Sequence, residues 1–166
     1  MEDNLEHIMV VDDTPSNLLL ILRALETLYR VSCFESGQAC LEAIKKDKPD
    51  LILMDVRMPE MSGYDCCKII KKDPKYHDIP VIFLSAQTEL NDKLQGYEIG
   101  GADYITKPCD VLEIIAKVDH NLELMNEFKN RLEESNEFSK LAMANIGELG
   151  TILHFLENSF TCEDQK

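Results

Sequence analysis

Leu51-Ile52-Leu53-Met54-Asp55 runs four apolar side chains without a break into a carboxylate. A short run that is apolar at every position, rather than at alternate ones, is a strand covered on both of its faces. Working outward, the same pattern recurs. His7-Ile8-Met9-Val10-Val11 stops at Asp12-Asp13, Pro80-Val81-Ile82-Phe83-Leu84 stops at Ser85, and Tyr29 to Phe34 reads as a further strand. A shorter piece, Asp103-Tyr104-Ile105, leads into Lys107-Pro108.

The segments between the strands change period. Apolar residues at 18, 21, 22, 25 and 28 have helical spacing, with Thr14 or Asp13 as the cap and Pro15 in the first turn. Ser36 is placed to cap a helix containing Ala39, Cys40, Ala43 and Ile44, and the Pro59 to Gly63 loop leads into a helix near 63–73. Another helix is expected near 89–99, before Gly100-Gly101, and from about Cys109 onward the chain reads as helix. Strands alternating with helices predict an α/β fold: a flavodoxin-like, doubly wound, five-stranded parallel sheet of order 2-1-3-4-5, followed by a long C-terminal helical extension.

Composition narrows the function classes. The chain has 166 residues, with 17 Lys plus Arg against 31 Asp plus Glu and a net charge of −14. That balance argues against direct nucleic-acid binding, which needs a basic stripe, and against adhesion to an anionic membrane. The apolar runs fall well short of the roughly 18 residues that span a bilayer. The acidic start, Met1-Glu2-Asp3-Asn4, does not resemble a signal peptide. The six cysteines include no Cys-x-x-Cys pair, which suits reduced thiols in a cytoplasmic protein better than disulfides or zinc.

In doubly wound sheets, ligands bind beyond the carboxyl ends of the strands. There the sequence places Asp12, Asp13, Asp55, Ser85 and Lys107. Three carboxylates at one strand edge repel one another unless a cation joins them, and Mg²⁺ with retained waters suits such a set. A lysine and a hydroxyl opposite would donate to phosphoryl oxygens, and an aspartate can itself be the nucleophile. Mg²⁺-assisted phosphoryl transfer to a carboxylate is the chemistry expected. Each piece alone has an ordinary explanation as a cap, turn or loop residue; the joint arrangement favours function.

Residues 7–120 resemble the receiver domain of two-component response regulators. The matching stretches are Val10-Val11-Asp12-Asp13, Leu53 to Gly63, Leu84-Ser85-Ala86 and Gly101 to Pro108. The resemblance implies that Asp55 accepts a phosphoryl group from a sensor histidine kinase or a histidine phosphotransfer protein. It implies Mg²⁺ held by Asp12, Asp13, Asp55 and the main-chain carbonyl of Arg57. Lys107 and Ser85 would contact the phosphoryl oxygens, Ala86 would leave the site accessible, and Tyr104 would be the aromatic switch. The Lys107-Pro108 bond would be cis, and Arg57 and Gln87 would tune the rate of dephosphorylation. The protein would then be a phosphoacceptor, not an enzyme acting on a separate substrate.

The expected division is a receiver domain over 1–122 and a helical extension over 123–166, as a coiled coil or a hairpin. Val118, Met125, Leu132, Ser139, Ile146, Leu153 and Phe160 are spaced in sevens, and Phe128, Ser135, Ala142, Leu149 and Leu156 fall three after members of that series. Ser135 and Ser139 interrupt the pattern, and Gly147 and Gly150 weaken the helix. The pattern predicts a homodimer through this helix, with signalling to an effector protein or an output domain. Two other readings compete. A dehalogenase-type phosphatase wants a second Asp two residues after the nucleophile, where Arg57 stands. An FMN-binding flavodoxin-like carrier wants a Ser/Thr/Gly-rich phosphate cradle after the first strand, which is lacking.

Overall fold

The computed structural model describes residues 5–86 and 90–160, with side chains over 5–86 and 94–144. The elements run β1 (His7–Val11), α1 (Pro15–Leu25), β2 (Arg30–Phe34), α2 (Gly37–Ile44), β3 (Leu51–Asp55), α3 (Gly63–Lys72), β4 (Val81–Ser85), α4 (Leu90–Glu98), β5 (Asp103–Thr106) and α5 (Val111–Phe160). The sheet has five strands in the order β2-β1-β3-β4-β5, and every pairing is parallel. This is the predicted topology, and its reason is burial: all five residues of β1, of β3 and of β4 are buried.

Capping follows local chemistry. The Ser36 hydroxyl accepts from the Ala39 N–H, and the Ser62 hydroxyl accepts from the Asp65 N–H at 3.1 Å. Thr14 is the N-cap of α1, ahead of Pro15, but its side chain makes no cap hydrogen bond. The carboxylate of Asp12 takes the Thr14 N–H instead, at 2.9 Å.

The chain divides into two compact units, Met1–Glu123 and Leu124–Lys166. In the first, the two sheet faces bury different material. Under α2 and α3 lie Val11, Ile44, Ile52, Val56, Ile70, Ile79 and Val81 together with Met9, Met54, Cys40, Cys66, Cys67 and the rings of Tyr64, Phe83 and Tyr104. Under α1 and the start of α5 lie Ile8, Val10, Leu18, Ile21, Leu25, Leu51, Leu53, Ile82, Leu84, Ile105, Ile114 and Val118, with Tyr29. Val118, placed on the dimer helix by its spacing, is thus fully buried in this core. Periodicity marks an apolar face without saying what it packs on. Tyr29 also donates a hydrogen bond to Asp119, tying the start of β2 to α5.

In the second unit, Met125 is half-buried while Phe128, Leu132, Phe138, Leu141 and Met143 are exposed. The Ser139 hydroxyl donates back to the Ser135 carbonyl at 2.9 Å, so one interrupting serine spends its polar group on the helix backbone. Ile146, Leu149, Leu153 and Leu156 lie on the α5 backbone, but their side chains fall outside the described residues, as does Gln87 altogether. No helix among the described residues is long and apolar enough to cross a membrane.

Candidate functional site

The carboxyl ends of β1 and β3 are adjacent in the sheet, so Asp12 and Asp55 are brought together by strand pairing alone. Backbone bonds extend the alignment past the strand ends. The Asp12 N–H donates to the Phe34 carbonyl at 3.1 Å, and the Val56 N–H donates to the Leu84 carbonyl at 3.0 Å. Asp12 is fully buried, Asp55 nearly so, and Asp13 is more exposed. One carboxylate oxygen from each of the three lies within 4.8 Å of the others, the only such acidic trio among the described residues.

The loop after Asp55 is folded tightly against it. Glu60 has a φ of 64°, the left-handed region a non-glycine residue seldom occupies. The Gly63 N–H then donates to the Val56 carbonyl at 2.9 Å. Gly63 comes so near that a Cβ there would stand 2.1 Å from the Asp55 carbonyl oxygen. The loop therefore needs a residue without a side chain at that point.

Lys107 reaches the site from β5. Its N–H donates to the Ser85 carbonyl at 2.8 Å, and the bond to Pro108 is cis. Its Nζ lies 2.6 Å from Asp12 Oδ2 and 3.0 Å from Asp55 Oδ1. Burial alone would lower the lysine's pKa, but the bonds and charges of Asp12 and Asp55 outweigh it and raise it. On Asp55 the balance is reversed. Burial raises its pKa, the Asp12 charge adds to the rise, and the Lys107 ammonium offsets only part. The ion pair stands, with burial winning on the carboxyl and charge winning on the ammonium.

Ser85 is buried at the end of β4, and Ala86 beside it is exposed. Tyr104 is buried with its ring centroid 6.5 Å from that of Phe83, so the aromatic side chain lies inside the sheet's sulfur-rich face. Arg57 is exposed beyond the strand end. The structure thus gathers Asp12, Asp13, Asp55 and Lys107 into one pocket, with Ser85 at the neighbouring strand end.

One participant was not foreseen. Asn17 Nδ2 donates to both oxygens of Asp12, at 3.2 and 3.1 Å. In the sequence Asn17 is an unremarked polar residue in the first turn of a helix. Its only signal is a position five residues past Asp12, which lacks meaning until the strand-to-helix turn is known.

Chemically, three clustered carboxylates with a single ammonium are a hard-oxygen donor set with excess negative charge. That fits a divalent cation such as Mg²⁺.

The comparisons agree with this geometry. The family model described as the response regulator receiver domain matches residues 8–119. A curated protein of Caulobacter vibrioides, response regulator PleD, is 39% identical over 112 residues, covering 67% of this chain and 25% of that protein. A protein of Vibrio cholerae named as a probable cyclic di-GMP phosphodiesterase is 33% identical over 142 residues, covering 86% of this chain and 32% of its own length. The chain therefore spans about a quarter to a third of these two relatives. The crystal structure of the signal receiver domain of a signal transduction histidine kinase from Syntrophus aciditrophicus superposes with a TM-score of 0.66. It is 34% identical and covers 71% of this chain and 90% of that one. With its sheet order, its acidic strand ends and a family match over most of its length, the chain belongs to the response regulator receiver domain family.

Proposed function

We propose that this chain is a phosphoacceptor of two-component signalling, with Asp55 as the residue phosphorylated by a sensor histidine kinase or a histidine phosphotransfer protein. The observation that carries the reading is the Lys107 ammonium bridging two buried carboxylates, Asp12 and Asp55, with Asp13 alongside. A carboxylate oxygen of Asp55 attacks the phosphorus of a phosphohistidine. The P–N bond breaks, and the donor's imidazole keeps the electron pair. Asp12, Asp13, Asp55 and the main-chain carbonyl of Arg57 would hold Mg²⁺, which supplies charge neutralisation of the phosphoryl oxygens. Lys107 exchanges its carboxylate partners for a phosphoryl oxygen, and Ser85 donates its hydroxyl to another. Ala86 leaves the approach open, and Arg57 and Gln87 set how readily water reaches the acyl phosphate.

The new group carries roughly −1.5 to −2 charges. Ser85 and Lys107 have contacts to make only in that state, which biases the α4-β5-α5 surface through Tyr104. The donor's approach has a matching surface. Leu19, Leu20 and Val111 are exposed around a shallow cavity with Arg23 and Ala24, and Leu20 also lines the neighbouring cavity that reaches Lys107 and Pro108. That exposed apolar face is where an apolar helix of the donor would dock.

The receiver domain is assigned to 1–122 and the helical extension to 123–166, a cytoplasmic protein dimerising through Met125, Phe128, Leu132 and the later heptad positions. Phe128 and Leu132 are about half exposed, which supports a partner helix. The output is an effector protein or a further domain, with no direct nucleic-acid contact by these residues. The dehalogenase-type phosphatase reading fares worse, because the exposed Arg57 occupies the position of its acid/base carboxylate. Labelling with a phosphohistidine donor or acetyl phosphate is the test: Asp55→Asn should take up no phosphoryl group, and full labelling of that variant would overturn the assignment.

A further inference from the structure

We infer that Asn17 is a positioning residue for the cation site, holding Asp12 so that the lone pair Lys107 vacates is the one presented to the metal. The inference rests on the reading of the pocket as a Mg²⁺ site and adds to it a residue outside the ligand set. A carboxylate has about four in-plane lone-pair sites. On Asp12 all four are engaged. Oδ1 accepts from the Thr14 N–H at 2.9 Å and from Asn17 Nδ2 at 3.2 Å, and Oδ2 accepts from Asn17 Nδ2 at 3.1 Å and from Lys107 Nζ at 2.6 Å.

These donors are unequal in freedom. Thr14 offers a backbone N–H at the head of α1. Asn17 is set by the first turn of the same helix, where its own N–H donates to the Thr14 carbonyl at 3.0 Å. Both belong to the segment that immediately follows β1, so they move with Asp12. Lys107 comes from across the sheet, 95 residues away, on a long flexible side chain with a second partner in Asp55. Lys107 can leave without disturbing the β1–α1 segment, whereas the Thr14 N–H is fixed in that segment's backbone and the Asn17 amide is tethered to it by a short side chain. When it does, the carboxylate plane stays pinned by Asn17 and Thr14, and a single site on Oδ2 opens on the side of Asp55, the lysine's other partner.

A neutral amide suits this role better than a second cation. It orients the carboxylate without cancelling the charge that the metal needs. It also explains why Asn17 contacts both oxygens, since a donor to only one would let the plane swing.

The measurement is calorimetric titration of the full chain with Mg²⁺ and, separately, Ca²⁺. Mg²⁺ demands near-octahedral placement of its ligands, whereas Ca²⁺ accepts irregular geometry. Loss of a residue that orients a metal ligand typically weakens affinity 10- to 100-fold. Asn17→Leu, of similar size but without a donor, should weaken Mg²⁺ binding by about 10-fold and Ca²⁺ binding by clearly less, lowering the Mg²⁺/Ca²⁺ affinity ratio. Asn17→Ala should do the same and serves if the leucine variant folds poorly, while Asn17→Gln, which keeps an amide, should recover part of the ratio. Equal losses for both ions, or unchanged Mg²⁺ affinity, would overturn the positioning role while leaving the pocket reading intact. A parent chain that binds neither ion would overturn both.

Discussion

Replacing Lys107 by Met removes the one ammonium that neutralises two buried carboxylates while keeping a side chain of similar length. Breaking a buried ion pair from one side usually costs about 3–5 kcal/mol, because the remaining charge is left uncompensated. Here two features reduce that figure. Lys107 retains 19% exposure, and Asp12 keeps its bonds from Thr14 and Asn17. Asp55 loses the partner that offset part of its burial, so its pKa climbs further above the usual carboxylate range. The expected loss is about 2 kcal/mol at neutral pH without divalent cation. Its pH dependence has a definite sign. A carboxyl whose folded pKa is raised binds its proton more tightly in the folded state, so stability falls as pH rises through the unfolded and then the folded value. The deficit of the variant should therefore be full at neutral pH and shrink once Asp55 is protonated. Mg²⁺ should stabilise the variant more than the parent, since it no longer competes with Lys107 for Asp12. Urea unfolding followed by circular dichroism, with EDTA and with saturating Mg²⁺, reads each quantity. A variant as stable as its parent in EDTA, or a deficit that ignores both pH and Mg²⁺, would refute the account.

Three further outcomes are expected. Gly63→Ala forces a Cβ to within 2.1 Å of the Asp55 carbonyl oxygen, so the loop must shift by roughly 1 Å; overpacking of that kind costs about 1–3 kcal/mol, and phosphorylation of Asp55 should slow in the same variant. His7 is buried at the start of β1 with its Nε2 2.9 Å from the Ser32 hydroxyl, and burial, with the Arg30 charge, lowers its pKa from 6.5. A lowered histidine pKa means that stability is lost as pH falls below 6.5, so His7→Gln should flatten the acid limb of the stability curve, as read by unfolding midpoints against pH. Light scattering with and without a beryllofluoride phosphoryl mimic should show dimers that Phe128→Glu converts to monomers; a parent that is monomeric in both states would sink the coiled-coil assignment.

Much of this architecture is legible in the sequence because three of the five strands, β1, β3 and β4, are buried at every position. Five-residue runs such as Leu51 to Asp55 are too short for an ordinary helix and so read as buried strands, and their polar last residues mark the edge at which a doubly wound sheet binds ligands. What escapes is anything that depends on which surfaces meet. Val118 fits a heptad as well as it fits the receiver core, since a period describes a face and not its partner. Asn17 and the Lys107 to Asp12 bridge arise from the path of a turn and from a 95-residue separation, neither of which leaves a periodic trace. Thr14 is an eligible helix cap by type, yet its hydroxyl caps nothing: its N–H donates to Asp12 and its backbone carbonyl accepts from Asn17 and Leu18.

The two halves of the core also differ in where their methionines lie. On the α1 side the sheet rests on branched aliphatic residues, which interlock and resist compression. On the α2 and α3 side Val and Ile residues share the core with Met9, Met54, three cysteines and three rings, and the unbranched thioethers among them tolerate repacking. Tyr104, Met54 and the loop that carries Met58 and Met61 all belong to that side. A displacement at the end of β3 thus meets adjustable thioether chains at Met54, Met58 and Met61, of a kind the cluster under α1 does not contain.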